Sequence, residues 1–311
     1  MDSEGNLYLL EFWAHRIRKI TTDGRVVVLA GNGLPGSTGD GGPARSALVL
    51  ESGDRGGIAV DPVGNVFFTD SQRLRKISTD GLISTEKTGI GYPDGMARGP
   101  DGSFYFTYGG ENMVRRLTPQ GQLVPFAGTG GLGSGGDGGP ALSAQIEAAC
   151  AVVVDAQGKV YVSQVGNGQR VRMIDTNGII TTVAGGGTQW SDGPATERQL
   201  SFPQGLAFDN WGSLIIVEHG ALLHRVSNGM IQKIAGTIGC VTSSPDGTPI
   251  ATAQLAISDW VGFFPNGEYV FFDGTRNRFR KVNLQGVLVH LRGRRCQYRG
   301  WRSGSVRRDP D

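Results

Sequence analysis

The sequence predicts an all-β fold: a six-bladed β-propeller of four-stranded antiparallel blades, its ring closed by the C-terminal segment completing blade 1. Three observations predict it. With 51 Gly, 38% hydrophobic and 19% charged residues, the composition suits many short strands joined by tight turns. Two sets of turn glycines recur in register, Gly5, Gly64, Gly102, Gly158, Gly212 and Gly267, then Gly24, Gly81, Gly121, Gly178, Gly229 and Gly286. Each set counts six units, 38 to 59 residues apart. Finally, one five-residue pattern returns in every unit: RIRKI at 16, RLRKI at 73, MVRRL at 113, RVRMI at 170, LLHRV at 222 and RFRKV at 278.

The unit is clearest in "AVVVDAQGKVYVSQVGNGQRVRMIDTNGIITTVAG", residues 151–185. An apolar first strand ends in a polar turn, where a glycine at positive φ lets a short hairpin form without a Cβ clash. A second apolar strand, the Arg-rich third strand, a second glycine turn and a β-branched fourth strand follow. Alternation in the third strand is expected to put aliphatic side chains on one face and Arg on the other. The blades fall at about 1–33, 54–87, 92–128, 148–185, 202–236 and 257–291 of a single 1–311 domain, with 292–311 as a basic closing tail. Unit 1 begins inside its first turn, at "MDSEGNLYLL", and lacks a first strand. The terminal "GSVRRDPD" at 304–311 resembles "VDPVG" at 60–64 and is expected to complete blade 1, leaving no open sheet edge. The alternative is that the chain is a piece of a longer secreted or surface protein.

"AVDPVGNVFFTDSQRLRKI" at 59–77 resembles the NHL-repeat propellers, whose units commonly read as apolar strand, Asp-x-x-Gly-Asn turn, YVAD and NRIRK. The resemblance covers residues 1–291. It implies the propeller fold and, in function, a sensor or interaction domain.

Between outer strand and next blade lies "GDGGPA", at 39–44 and again at 136–141, with "SDGPA" at 191 and "PDGTPIA" at 245 as relatives. No Lys-Ser/Thr and no long helix follow the glycines, so this is not a phosphate loop, and one Asp is too few for calcium. It reads as a connector with an Asp-capped helical turn, tucking Val49, Ile146, Leu200 or Leu255 between blades. Between units 2 and 3 the connector is replaced by the short "TGIGYPDG" at 88–95, which predicts an asymmetric groove there.

Lys+Arg 30 against Asp+Glu 28 leaves a net charge of +2, which argues against nucleic-acid binding. The run Arg292, Arg294, Arg295, Arg299, Arg302, Arg307 and Arg308 reads as a solvated or closing tail before a polyanion-binding arm. No apolar run reaches the ~18 residues of a membrane span and no signal pattern opens the chain, so a soluble chain is expected, its compartment undetermined. Cys150, Cys240 and Cys296 form no disulfide framework.

Chemistry is expected at the mouth of the central channel, where first strands begin and second strands end. The candidate residues there are Glu11, Asp94, Tyr108, Gln164, Glu218, His219 and Asp259, with Asp94 and Asp259 facing each other from blades 3 and 6. Asp70 and Asp273, at the second-strand end, read as structural partners of loop amides or third-strand Arg. Amidating lyases resemble this fold and hold zinc with histidines, but His15, His219, His224 and His290 cannot form such a ring. Lactonase and paraoxonase-like propellers hold axial calcium with Glu, Asn and Asp; by resemblance, Glu11, Asp94, Glu218 and Asp259 are the calcium candidates here. The first expectation is a non-catalytic binding or scaffold propeller for a protein, peptide or glycan partner, needing no cofactor. The alternative is a lyase or hydrolase using an axial metal and carboxylates, and RNA binding comes last.

Overall fold

Six β-meanders follow one another along the chain and pack face to face around a common axis. The computed structural model describes residues 1–11, 14–50, 56–219, 222–237, 243–273 and 278–291. Blade 1 comprises Leu7–Glu11, Arg16–Ile20 and Val26–Ala30. Blade 2 comprises Ile58–Val60, Val66–Asp70, Arg73–Ile77 and Ile83–Thr88, and blade 3 Gly95–Arg98, Phe104–Tyr108, Met113–Leu117 and Leu123–Ala127. Blade 4 holds Ala149–Val154, Val160–Gln164, Arg170–Ile174 and Ile180–Gly185; blade 5 holds Pro203–Phe208, Leu214–Glu218, Leu222–Ser227 and Met230–Ala235. Blade 6 holds Ile257–Phe263, Tyr269–Asp273, Arg278–Val282 and Leu288–His290. Every sheet is antiparallel and its blade strands run in sequence order from inner to outer, with Gly193–Pro194 of the connector pairing outside Met230–Ala235 in blade 5. Among the described residues blade 1 has three strands, and the segment expected to complete it, 304–311, lies outside them.

The core consists of six hydrophobic clusters, one at each blade interface. Between blades 6 and 1, Leu7, Leu9 and Ile20 meet Phe264, Val270, Phe279 and Leu291, so apolar packing joins the two ends of the ring. Each fully buried aliphatic residue there contributes about 1.5 to 3 kcal/mol relative to exposure. Inner strands approach closely at their starts: a Cβ on Gly57 would lie 2.1 Å from the Cβ of Met96 in the next blade. That is why glycine begins the inner strand in blades 2 and 3.

The GDGGPA segment proves to be a stitch between outer strands. Ala44 O accepts from Gly31 N–H at the end of blade 1, and Ala44 N–H donates to Gly81 O in blade 2. Ala141 links Gly128 to Gly178, and Ala195 links Gly185 to Gly229, in the same way. Pro43, Pro140 and Pro249 form antiparallel bridges with Leu82, Ile179 and Val287. Val49, Ile146, Leu200 and Leu255 are fully buried as expected. The expected Asp cap is not formed, however. The single turns Ala44–Ser46, Ala141–Ser143 and Ile250–Thr252 begin after a proline with no side-chain cap, because the aspartates are held by arginine.

The two-faced third strand is also corrected. Its first Arg is half-exposed, but its second, Arg75, Arg172 or Arg280, is completely buried, since both faces of a blade pack on neighbours. Arg75 donates to Asp70 in its own blade at 2.7 Å, to Asp40 of the connector at 2.7 Å, and to the Leu48 and Thr38 carbonyls. Arg280 repeats this with Asp273, Asp246 and the Ser244 carbonyl; Arg172 does so with Asp137 and the Gly135 and Gln145 carbonyls. The structural role expected of Asp70 and Asp273 is thus realised. Removing one partner of such a buried pair strands the other charge. Arg75→Ala is therefore expected to lower the unfolding free energy by about 3 to 5 kcal/mol. Arg73→Ala, a partly solvated neighbour that also reaches Asp70, should cost about 1 kcal/mol or less. Urea unfolding of the two variants checks the difference, and equal losses would contradict it.

Candidate functional site

The mouth is built where inner strands start. In blades 4 and 5 these strands begin with a register shift, between Ala149 and Val152 and between Pro203 and Gly205. Such bulges re-aim side chains, and the residues inside them are Cys150 and Gln204. A contiguous polar arc results across three blades. Asp94 of blade 3 accepts the Gly109 N–H at 2.6 Å, and its own N–H donates to Thr107 O. The Thr107 hydroxyl donates to Cys150 O in blade 4, and Cys150 Sγ lies 3.5 Å from Gln204 O in blade 5. Gln204 Oε1 is 2.9 Å from Nδ1 of His219, which is exposed. With the amide oxygen as acceptor, Nδ1 of the imidazole is the donor in this bond.

His219 is held from a second side by Phe202, whose carbonyl accepts the His219 N–H at 3.0 Å and whose ring lies edge-on to the imidazole. Phe202 has φ of 47°, a left-handed conformation costly for an aromatic residue, and its N–H is secured by Gln169 Oε1 at 3.0 Å.

The other sequence candidates lie elsewhere. Tyr108 is buried: its hydroxyl donates to Ile90 O in the short 88–95 connector and its ring carries the Arg115 guanidinium. Burial pushes its pKa up to about 12. Blade 3 has no GDGGPA connector before it, so the arginine stacks on this ring and pairs with Glu111 instead. Gln164 is fully buried, reaching the Gly133 and Glu147 carbonyls. Glu11 pairs with Arg18 at 2.5 Å. The Asp259 side chain lies outside the described residues.

Glu218 belongs to a buried cluster that takes the place of the arginine clamp in blade 5. His224 occupies the position of Arg75 and Arg172, and an arginine from the connector, Arg198, replaces the missing charge. His224 Nε2 is 3.4 Å from Glu218 Oε1 and 3.4 Å from Arg198 Nη2, and all three side chains are buried. Desolvation raises Glu218 to about 7, against the Arg198 charge and the Ser201 backbone. Desolvation, then the charges of Arg198 and Lys233, lower His224 to about 3. Arg198 escaped the sequence reading; the loss of Arg at 224, followed back to the only nearby connector arginine, was the available signal.

Of the four calcium candidates, Glu11, Asp94 and Glu218 have described side chains, and these three lie in separate surroundings. Among the described residues no three His, Cys, Asp or Glu side chains converge on a common point. Glu11 pairs with Arg18 of its own blade, and Glu218 faces His224 in the buried cluster. At the other end of the inner strands the channel widens into a cavity of about 630 Å³, lined in part by Tyr8, Val60, Phe208 and Trp260. Trp260, where other blades have Gly or Ala, lies over Gly262, at which a Cβ would be 2.7 Å from the indole ring.

The fold and mouth define a six-bladed β-propeller with a polar arc on three adjacent blades. The chain matches no family model. It is similar to Teneurin-m of Drosophila melanogaster, 26% identical over 263 residues, 74% of this chain and 9% of that protein. It is also similar to pentonolactonase XacC of Haloferax volcanii, 31% identical over 159 residues, 45% of this chain and 55% of that enzyme. The chain thus spans a small part of the teneurin and little more than half of the lactonase. Among solved structures it resembles a streptogramin B lyase, with a TM-score of 0.54 and 16% identity over 93% of this chain and 80% of the other. A gluconolactonase from Xanthomonas campestris gives a TM-score of 0.54 and 14% identity over 81% of this chain and 82% of that one. These structural likenesses carry the fold. The expectation of a non-catalytic scaffold is overturned by the lactonase similarity in sequence, with lyase and lactonase propellers alongside it in fold.

The two shifted groups of blade 5 oppose each other in stability. Glu218 is favoured neutral in the fold, so stability falls as pH rises from 4.5 towards about 7. His224 is also favoured neutral, so stability rises with pH from about 3 to 6.5. His224→Gln removes the second effect. Its melting temperature relative to the parent should therefore be more favourable near about pH 4 than near about pH 7.5. Scanning calorimetry at both values checks this, and an unchanged difference would count against it.

Proposed function

We propose that this chain is an NHL-type propeller acting as a hydrolase that opens a sugar lactone at the channel mouth. The observation that carries the reading is the 31% identity over 159 residues to a pentonolactonase. It is supported by the hydrogen-bonded arc from Asp94 to His219, which gathers a carboxylate, a hydroxyl and an imidazole on one rim. A lactone is a cyclic ester, and its hydrolysis requires an activated water and a route for the proton to the leaving alkoxide.

His219 supplies both. Gln204 holds the imidazole at Nδ1, and in this reading the ring takes a proton from water as the water oxygen forms a bond to the lactone carbonyl carbon. When the ring C–O bond breaks, the imidazolium returns that proton to the ring oxygen, giving the open hydroxy acid. Asp94 is suited to orient the sugar hydroxyls. A positioned general base contributes about 10² to 10⁴ in rate. Purified protein should hydrolyse pentono-1,4-lactones with saturation, read by pH-stat. His219→Ala should lower kcat by about 10²-fold or more, and Asp94→Asn should act mainly on KM. Pentonolactone turnover no faster than in buffer would sink the reading.

A further inference from the structure

We propose that Glu218, through the buried cluster it forms with His224 and Arg198, is a positioning residue for His219. The inference rests on the reading of His219 as the proton-transferring group, and the geometry reaches beyond that reading. One short segment, residues 198–204, makes all the relevant contacts. Arg198 places its guanidinium 3.4 Å from His224 Nε2 and donates to the Trp190 carbonyl at 2.5 Å. The Ser201 backbone acts on the Glu218 carboxyl. Phe202 holds the His219 N–H and touches its ring, and Gln204 holds its Nδ1.

Glu218 is also the residue immediately before His219, at the end of the second strand. A change in its charge therefore acts on His219 from both directions, along the strand and through the segment that grips the imidazole. The charged and titratable groups around the carboxyl are Arg198 from the connector, His224 from the third strand and His219 beside it, with Lys233 of the outer strand acting on His224. His224 is neutral around neutrality, so Arg198 is the cation that answers an ionised Glu218. Ionisation draws Arg198 and Ser201 towards the carboxylate; protonation releases them, and Phe202, strained at positive φ, is the joint that moves. The other blades have no such device. Asp70 and Asp273 bond directly to a buried third-strand arginine.

The test is imidazole NMR of the ¹⁵N-labelled full chain from about pH 5 to 9, the His219 signals being assigned with His219→Gln. The expected result is a second inflection in the His219 signals near about 7, contributed by Glu218. Glu218→Gln, which holds the neutral form, should abolish that inflection. It should also lower kcat on a pentono-1,4-lactone by about tenfold with KM within about twofold. Glu218→Asp places the residue of blades 2 and 6 at this position; it should restore the inflection at lower pH and recover part of kcat. A second inflection absent from the parent, or present unchanged in Glu218→Gln, overturns the proposal. If Glu218→Gln does not fold, an unshifted inflection in Glu218→Asp overturns it equally. If the parent hydrolyses no lactone, the functional reading fails while the NMR result still decides the positioning role.

Discussion

The ring depends on one repeated interaction: a fully buried third-strand arginine holding the connector that arrives from the preceding blade. The guanidinium is planar, permanently charged and carries five donors, so it can bind its own blade's Asp, the connector's Asp and two connector carbonyls together. Arg75 does so; Arg280 binds Asp273, Asp246, the Ser244 carbonyl and the Ser243 hydroxyl; Arg172 binds Asp137 and the Gly135 and Gln145 carbonyls, with Gln164 standing where blades 2 and 6 have the aspartate. Such a site adds little net stability over an apolar one, because three charged groups must leave water. What it adds is position. A Gly-rich segment of some twenty residues has no core of its own, and the arginine gives it one path, along which a single alanine then stitches adjacent outer strands.

Departures from this clamp carry the specialised features. In blade 3 the connector is short and its Asp94 accepts the Gly109 N–H, while Arg115 turns to Tyr108 and Glu111, and the outer strand Leu123–Ala127 carries Pro125, a residue compatible with an edge. Beside this connector the Tyr108 hydroxyl donates to the Ile90 carbonyl. In blade 5 the strand arginine becomes His224, the cation moves to Arg198, and the carboxylate becomes one that can be protonated near neutrality.

The mouth obeys a related logic. Inner strands crowd around the axis, and glycine or alanine at their starts permits that approach. The bulges at Cys150 and Gln204 then turn polar groups towards the rim, and hydrogen bonds pass from blade to blade through them. The imidazole at the end of this chain is oriented by a neighbour two residues after the strained Phe202.

The sequence by itself determined the number of blades, the order of strands and the place of every connector, because turn glycines and apolar runs are local signals with a fixed period. It also identified His219 at the rim, as a departure from the repeat. Only the tertiary structure decided which side of each strand was buried, since a blade packs on both faces and period-2 alternation cannot tell solvent from a neighbouring sheet. For the same reason Tyr108, Gln164 and Glu218, all unusual at a second-strand end, turned out to be interior. The partnership of Arg198 with His224, 26 residues apart, and of Arg75 with Asp40, 35 residues apart, arises from blades meeting in space. No spacing in the chain records it.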